Sequence, residues 1–172
     1  MGLLARLFGH RADDHAAVRA LWQRVIVLAR EPGWYARGGI ADTVAGRFDA
    51  LSLVMALVLL RMEQAEELRA VSARLTELFV TDMDGQLREQ GVGDLVVGKR
   101  IGKLMSVLGG RIEACRAGLA ANEDAVLIEA IERNVTLGER GDPAWIAAEL
   151  RRLAADRAAA DSAALLAGRI ER

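Results

Sequence analysis

With 172 residues, 52% of them hydrophobic and 27% charged, the chain can build one self-sufficient core and is too apolar to be disordered. A formal net charge of −1 and a pI near 6.2 exclude a global field that would recruit nucleic acid or anionic lipid, so any such contact must come from a local patch. The single cysteine, Cys115, excludes an internal disulfide and fits a reducing compartment; with His10 and His15 it is poor material for a zinc site.

The first stretch, "MGLLARLFGHR", is too short for a signal-peptide core, and Arg6 breaks the myristoylation pattern. Leu3, Leu4, Leu7 and Phe8 share a helical face, which predicts an amphipathic segment over 1–12 that docks on the domain, with a membrane surface as the alternative. Val18, Leu21, Trp22, Val25, Ile26 and Leu28 then recur at helical spacing and predict a helix over 14–30. "EPGWYARGG" ends it and reads as a loop holding Trp34 and Tyr35.

Asp42 or Thr43 caps the next helix, which runs through "ALSLVMALVLL", residues 50–60. That apolar run falls well short of the roughly 20 residues a bilayer span needs, and being apolar on nearly all sides it predicts the central helix of a soluble protein. A third helix is expected over 66–89, broken by Gly91 and Gly93. A fourth, over 97–119, is expected to turn Ile101, Leu104, Met105, Leu108 and Ile112 inward and Lys99, Arg100, Lys103 and Arg111 outward, with Cys115 half-buried on it. Asn122 is expected to cap a fifth helix carrying Val126, Leu127, Ala130, Ile131 and Val135, and Asp142-Pro143 opens an alanine-rich last helix that is partly exposed and frays or extends from the body. No segment alternates at strand spacing. The expectation is an all-α, single-domain bundle of about six helices with a long C-terminal helix, arranged as an amphipathic segment 1–12, a helical domain 13–138 and a C-terminal helix 139–172.

Gly93 to Lys99 fits G-x-x-x-x-G-K, which raises the question of a phosphate-binding loop. Such a loop follows a buried strand and ends in a Ser or Thr that ligates magnesium. Here a helical pattern precedes it, Arg100 stands where the hydroxyl should be, and Asp94 puts a negative charge in the cradle. "DMDGQ" fails as a calcium loop because its glycine comes too early and no glutamate closes it. Glu63, Glu66 and Glu67 read as a solvated face, and no serine has a histidine partner in a motif. No catalysis, cofactor, metal or small-molecule substrate is expected.

Two features remain. Trp34 and Tyr35 either anchor a partner or fold back over the bundle, and both readings stay open. Lys99, Arg100 and Lys103 form a cationic corner where the helix dipole disfavours positive charge, either a solvated face or a site for an acidic partner or a phosphate backbone.

"GWYARGGIADTVAGRFDALSL" followed by "TDMDGQLREQGVGDLVVGKRIGKL", with "RNV" at 133–135, resembles the ubiquinol–cytochrome c chaperone family, assembly factors of the respiratory cytochrome bc1 complex. The resemblance covers about residues 22–135; the N-terminal dozen residues and the alanine-rich tail carry none of it. It implies a non-enzymatic, all-helical chaperone that receives newly made cytochrome b or another bc1 subunit. It also implies association with the translating ribosome, as in mitochondria, and a cytoplasmic location that includes peripheral contact with the inner membrane. A ribosome- or RNA-binding adaptor using the basic corner is the alternative. By position, the partner-binding residues it implies are Trp34, Tyr35, Gly38, Gly39, Asp42, Thr43, Arg47, Phe48 and Asp49 in the first block. In the second they are Asp82, Asp84, Gly91, Gly93, Asp94, Gly98, Lys99, Arg100 and Lys103. Gly46 also belongs to the motif. Two positions depart from the family pattern: Val54, where many relatives carry a histidine, and Gly109, where an aromatic residue is usual.

Overall fold

The computed structural model describes residues 16, 18–89, 91 and 93–170. The segment 1–12 and both histidines lie outside the described residues. The six helices that periodicity predicts are present as α1 (18–29), α3 (Val44–Glu63), α4 (Glu66–Glu89), α5 (Asp94–Ala120), α6 (Ala125–Asn134) and α7 (Pro143–Ala159). Two five-residue helices, α2 (Pro32–Ala36) and α8 (Ser162–Leu166), join them. No strand occurs among the described residues, only an isolated antiparallel bridge between Ile40 and Leu137.

The all-round apolar character of α3 makes it the axis of the bundle. Every residue from Ser52 to Leu59 is buried, and α4, α5 and α7 pack around it. Of its two candidate caps Thr43 is used: its hydroxyl accepts from the Gly46 N–H at 3.2 Å. The first helix is fixed to α4 by Trp22, whose ring meets Phe79 edge-on at 6.0 Å and whose indole N–H donates to Asp82 at 2.5 Å.

Three expectations are corrected. "EPGWYARGG" is not an open loop: Pro32 starts α2, and Trp34 is driven inward to 1% exposure. Its indole N–H donates to the Leu28 carbonyl at 2.8 Å and its ring meets Trp145 edge-on at 6.1 Å. Asn122 does not cap α6, which begins after Asp124. The C-terminal helix neither frays nor projects. Asp142 caps it by accepting from the Trp145 N–H at 2.9 Å, and Ile146, Ala147, Leu150 and Leu153 bury its inner face against α3 and α6. Arg151 of α7 donates to the carbonyls of Gly118 and Ala121 at 3.0 Å each and pairs with Asp124 at 2.5 Å. A cation at the end of α5 complements the negative pole of that helix.

Past Ala160 the chain turns, and Asp161 caps α8 by accepting from the Ala164 N–H at 2.6 Å. Leu165 and Ile170 are buried, and Arg24 of α1 donates both Nε and Nη2 to the Ile170 carbonyl, at 3.1 and 2.7 Å. No described helix is long and apolar enough to cross a membrane.

Candidate functional site

The two motif blocks lead to two places of opposite character. The first is a buried polar knot. Asp49 faces the core from the second turn of α3 at 5% exposure, and a carboxylate there needs partners for both oxygens. One oxygen takes Nη2 of Arg111, and the other accepts from the Thr136 N–H at 2.7 Å. Arg111, expected outward, is 4% exposed on α5. Its remaining bonds run to the Ser52 hydroxyl, to the Asp49 carbonyl at 3.0 Å and to the Asn134 carbonyl at 2.6 Å, and its carbon end lies 5.8 Å from the Phe48 ring centre. Only its Nε is left without an acceptor. This knot ties α3, α5 and the end of α6 together, and with them the "RNV" segment.

The glycines of the first block serve the same region. Gly39 holds φ +66°, and a Cβ there would lie 2.3 Å from the Arg140 carbonyl oxygen; its own carbonyl accepts from the Gly138 N–H at 2.8 Å. Gly46 lets α3 start against the Ala41 carbonyl, which a Cβ would approach to 1.9 Å. Gly38 is buried between Trp34, Trp145 and Ile146. Tyr35 is half-buried, donating its hydroxyl to the Ala29 carbonyl at 3.0 Å, and burial raises its pKa. Asp42 and Arg47 form an exposed ion pair at 2.7 Å, in which the hydrogen bond from Arg47 lowers the Asp42 pKa.

The second place is the exposed corner between α4 and α5. Gly91, at φ +79°, turns the chain, and Gly93 occupies the cap position of α5. Asp94 is the first residue of that helix, so Gly98 and Lys99 lie within it rather than in a loop. From Val96 onward the N–H groups are already engaged: Val96 and Val97 both donate to the Gly93 carbonyl, at 2.9 and 3.1 Å. The letters of a phosphate loop are here the first turns of a helix. Gly98, Lys99, Arg100 and Lys103 are all exposed. An open groove of about 430 Å³ runs between Val80, Asp84 and Arg88 of α4 and Val97, Gly98 and Ile101 of α5, and Asp84 pairs with Arg88 at 2.7 Å on its edge. Asp82 is not part of that surface but turns inward to Trp22.

Among the described residues no cluster of His, Cys, Asp and Glu is arranged to hold a metal. Cys115 is fully rather than half-buried, and desolvation pushes its thiol up to about 11, far from a reactive thiolate. Val54 is fully buried, so a histidine at this position would enter the core, whereas open space at Gly109 leaves room for a side chain.

The family model described as "Ubiquinol-cytochrome C chaperone" matches residues 36–171, reaching through α7 and α8 and so extending past the 22–135 span of the motif resemblance. Trp34 and Tyr35 fall just outside that match. No curated protein matches the chain. A solved structure, "Crystal structure of the Cbp3 homolog from Brucella abortus", is 31% identical, and the alignment covers 98% of this chain and 95% of that one with a TM-score of 0.79. The chain belongs to the ubiquinol–cytochrome c chaperone family.

Proposed function

We propose that the protein is a non-enzymatic chaperone that receives newly made cytochrome b during assembly of the cytochrome bc1 complex, and that the α4–α5 corner is its partner-binding surface. The observation that carries this reading is the family match over residues 36–171. The groove supports it chemically, because Val80, Val97 and Ile101 offer an apolar floor beside exposed cations. It works on the cytoplasmic side, in peripheral contact with the inner membrane where the client is inserted. The test is a crosslinked pull-down from membranes together with a deletion strain. Recovery of cytochrome b and a selective loss of bc1 complex are expected; normal bc1 levels in the deletion strain would sink the proposal.

The exposure of Lys99, Arg100 and Lys103 favours a second reading, a ribosome- or RNA-binding adaptor. Ribosome co-sedimentation that falls with salt and disappears on charge reversal of the three residues supports it, and co-sedimentation indifferent to that change removes it.

A further inference from the structure

Three arginines converge where α1, α3 and α7 meet the C-terminal segment. Arg24 donates Nε and Nη2 to a single oxygen, the Ile170 carbonyl. That edge of a guanidinium ordinarily takes both oxygens of a carboxylate or phosphate. Arg61 donates Nε to the Arg157 carbonyl at 3.0 Å and Nη2 to the Ala160 carbonyl at 2.9 Å. Arg157 is 0% exposed, donates Nη1 to the Leu153 carbonyl one turn back at 2.6 Å, and leaves Nε and Nη2 with no acceptor.

None of the three pairs with a carboxylate of the described residues, whereas Arg152, on the same helix, pairs with both Glu149 and Asp156. Burial lowers the Arg157 pKa to about 10, the Asp156 and Glu31 carboxylates opposing the shift and the Arg24 and Arg152 charges adding to it, so the guanidinium stays charged at neutral pH at a desolvation cost. Two buried guanidinium nitrogens without an acceptor are an uncommon arrangement in a protein interior.

Of the four carbonyls that serve this cluster, Leu153 and Arg157 belong to α7, Ala160 is its C-cap, and Ile170 belongs to the segment that follows. Ala160 breaks that helix in an extended conformation, Gly168 returns the chain at φ +69°, and Ile170 ends on Arg24. The segment is anchored by the buried Leu165 and Ile170, by Leu166 against the core, by the close approach of Gly168 to Ala20, by the Arg24 bond, and by a hydrogen bond from the Ser162 hydroxyl to Glu67 at 2.6 Å. We propose that residues 161–170 are a displaceable strap over an oxyanion site formed by Arg24, Arg61 and Arg157, and that the site takes a phosphate group. One phosphate carries enough oxygens for several guanidinium edges at once, where each backbone carbonyl offers a single oxygen. The strap therefore competes with phosphate for the two Arg24 donors, next to the Arg157 Nε and Nη2 that have no acceptor. This site is separate from the α4–α5 corner and does not depend on the client assigned there.

Hydrogen exchange of the full chain, titrated with inorganic phosphate against chloride of equal ionic strength, tests the proposal. Phosphate is expected to speed exchange selectively in 161–170, and no selective effect overturns the proposal. Arg157→Met removes the buried charge, so it should slow exchange of the strap and abolish the phosphate response; a response equal to that of the parent chain overturns the proposal. Leu165→Ala leaves all three arginines in place and loosens the strap, so it should tighten apparent phosphate affinity about tenfold by raising the open fraction. An unchanged midpoint overturns the proposal even if the Arg157 variant does not fold. Vesicles of phosphatidylglycerol, with phosphatidylcholine as control, identify the source: strap opening at lower phosphate concentration assigns a lipid headgroup, and no response to vesicles assigns a soluble phosphate.

Discussion

The buried knot around Asp49 draws on the first motif block and the exposed corner at Lys99 on the second, and they obey opposite physics. In the knot every polar group but the Arg111 Nε has a partner within the chain, and both side chains of the Asp49–Arg111 pair are nearly inaccessible, at 7% and 5%. At the corner Gly98, Lys99, Arg100 and Lys103 face outward beside an unfilled groove. The contrast divides the motif residues by task. Trp34, Gly38, Gly39, Thr43, Phe48, Asp49 and Asp82 hold the scaffold through internal contacts, while the corner residues are free to meet something else. A residue can mark a family because the fold needs it, without touching a partner.

The sharpest way to break this division is to cut the knot. Asp49→Ala strands the Arg111 charge in the interior and should cost about 3 to 5 kcal/mol, lowering Tm in a circular-dichroism melt by roughly 6 to 20 °C. Replacing the pair together, Asp49→Leu with Arg111→Met, should recover much of that loss, because no unpaired charge remains. A surface-like change of less than 1 kcal/mol in Asp49→Ala would show that the knot is not structural.

One turn along α5, Cys115 tests the dryness of the same region. Its pKa stands at about 11 against an ordinary 9.0, so between those values the unfolded chain has lost a proton that the folded chain retains. Stability from this group is complete below pH 9 and falls as pH rises toward 11, by about 2 to 3 kcal/mol. Urea titrations of the parent chain and of Cys115→Ala should diverge over that window, and parallel curves would contradict the assignment. Gly39→Ala, which forces a left-handed backbone on a residue with a Cβ against Arg140, should cost about 2 kcal/mol in the same titration. The smallest effect on stability belongs to the corner. Charge reversal at Lys99, Arg100 and Lys103 should shift unfolding by less than about 0.5 kcal/mol per site while reducing capture of the client in a pull-down. A loss of stability on the scale of the knot would erase the distinction.

The long helices are legible because their signals are local. The spacing of Leu68, Leu75, Leu78 and Phe79, the Thr43 cap and Asp142-Pro143 each act within a few turns. What escaped acts at a distance. Arg111 follows Gly109 and Gly110 on a helix with exposed cations, so periodicity assigns it to solvent, and its partner lies 62 residues away. A signal does exist: Asp49 and Ser52 stand in a helix otherwise buried all round, and polar groups there demand a donor from another element. The helix around Trp34 escaped because a proline and glycines read as a loop, and it is the buried indole, not propensity, that stabilises five residues as a helix. The corner's cations are legible as exposed charge, but the groove exists only once α4 and α5 pack.

The position of α3 has a consequence for how this protein is made. Its apolar surface is complete when the ribosome reaches Glu63, yet the covering face of α7 is finished only at Leu153. At ordinary translation speeds roughly 5 to 20 s separate those two points. For that interval the face of α3 that α7 covers is exposed on the nascent chain, while α1, α4 and then α5 shelter the rest. A member of a chaperone family therefore begins life needing shelter itself, and a fragment ending at Glu89 should remain sticky and fail to stay in solution.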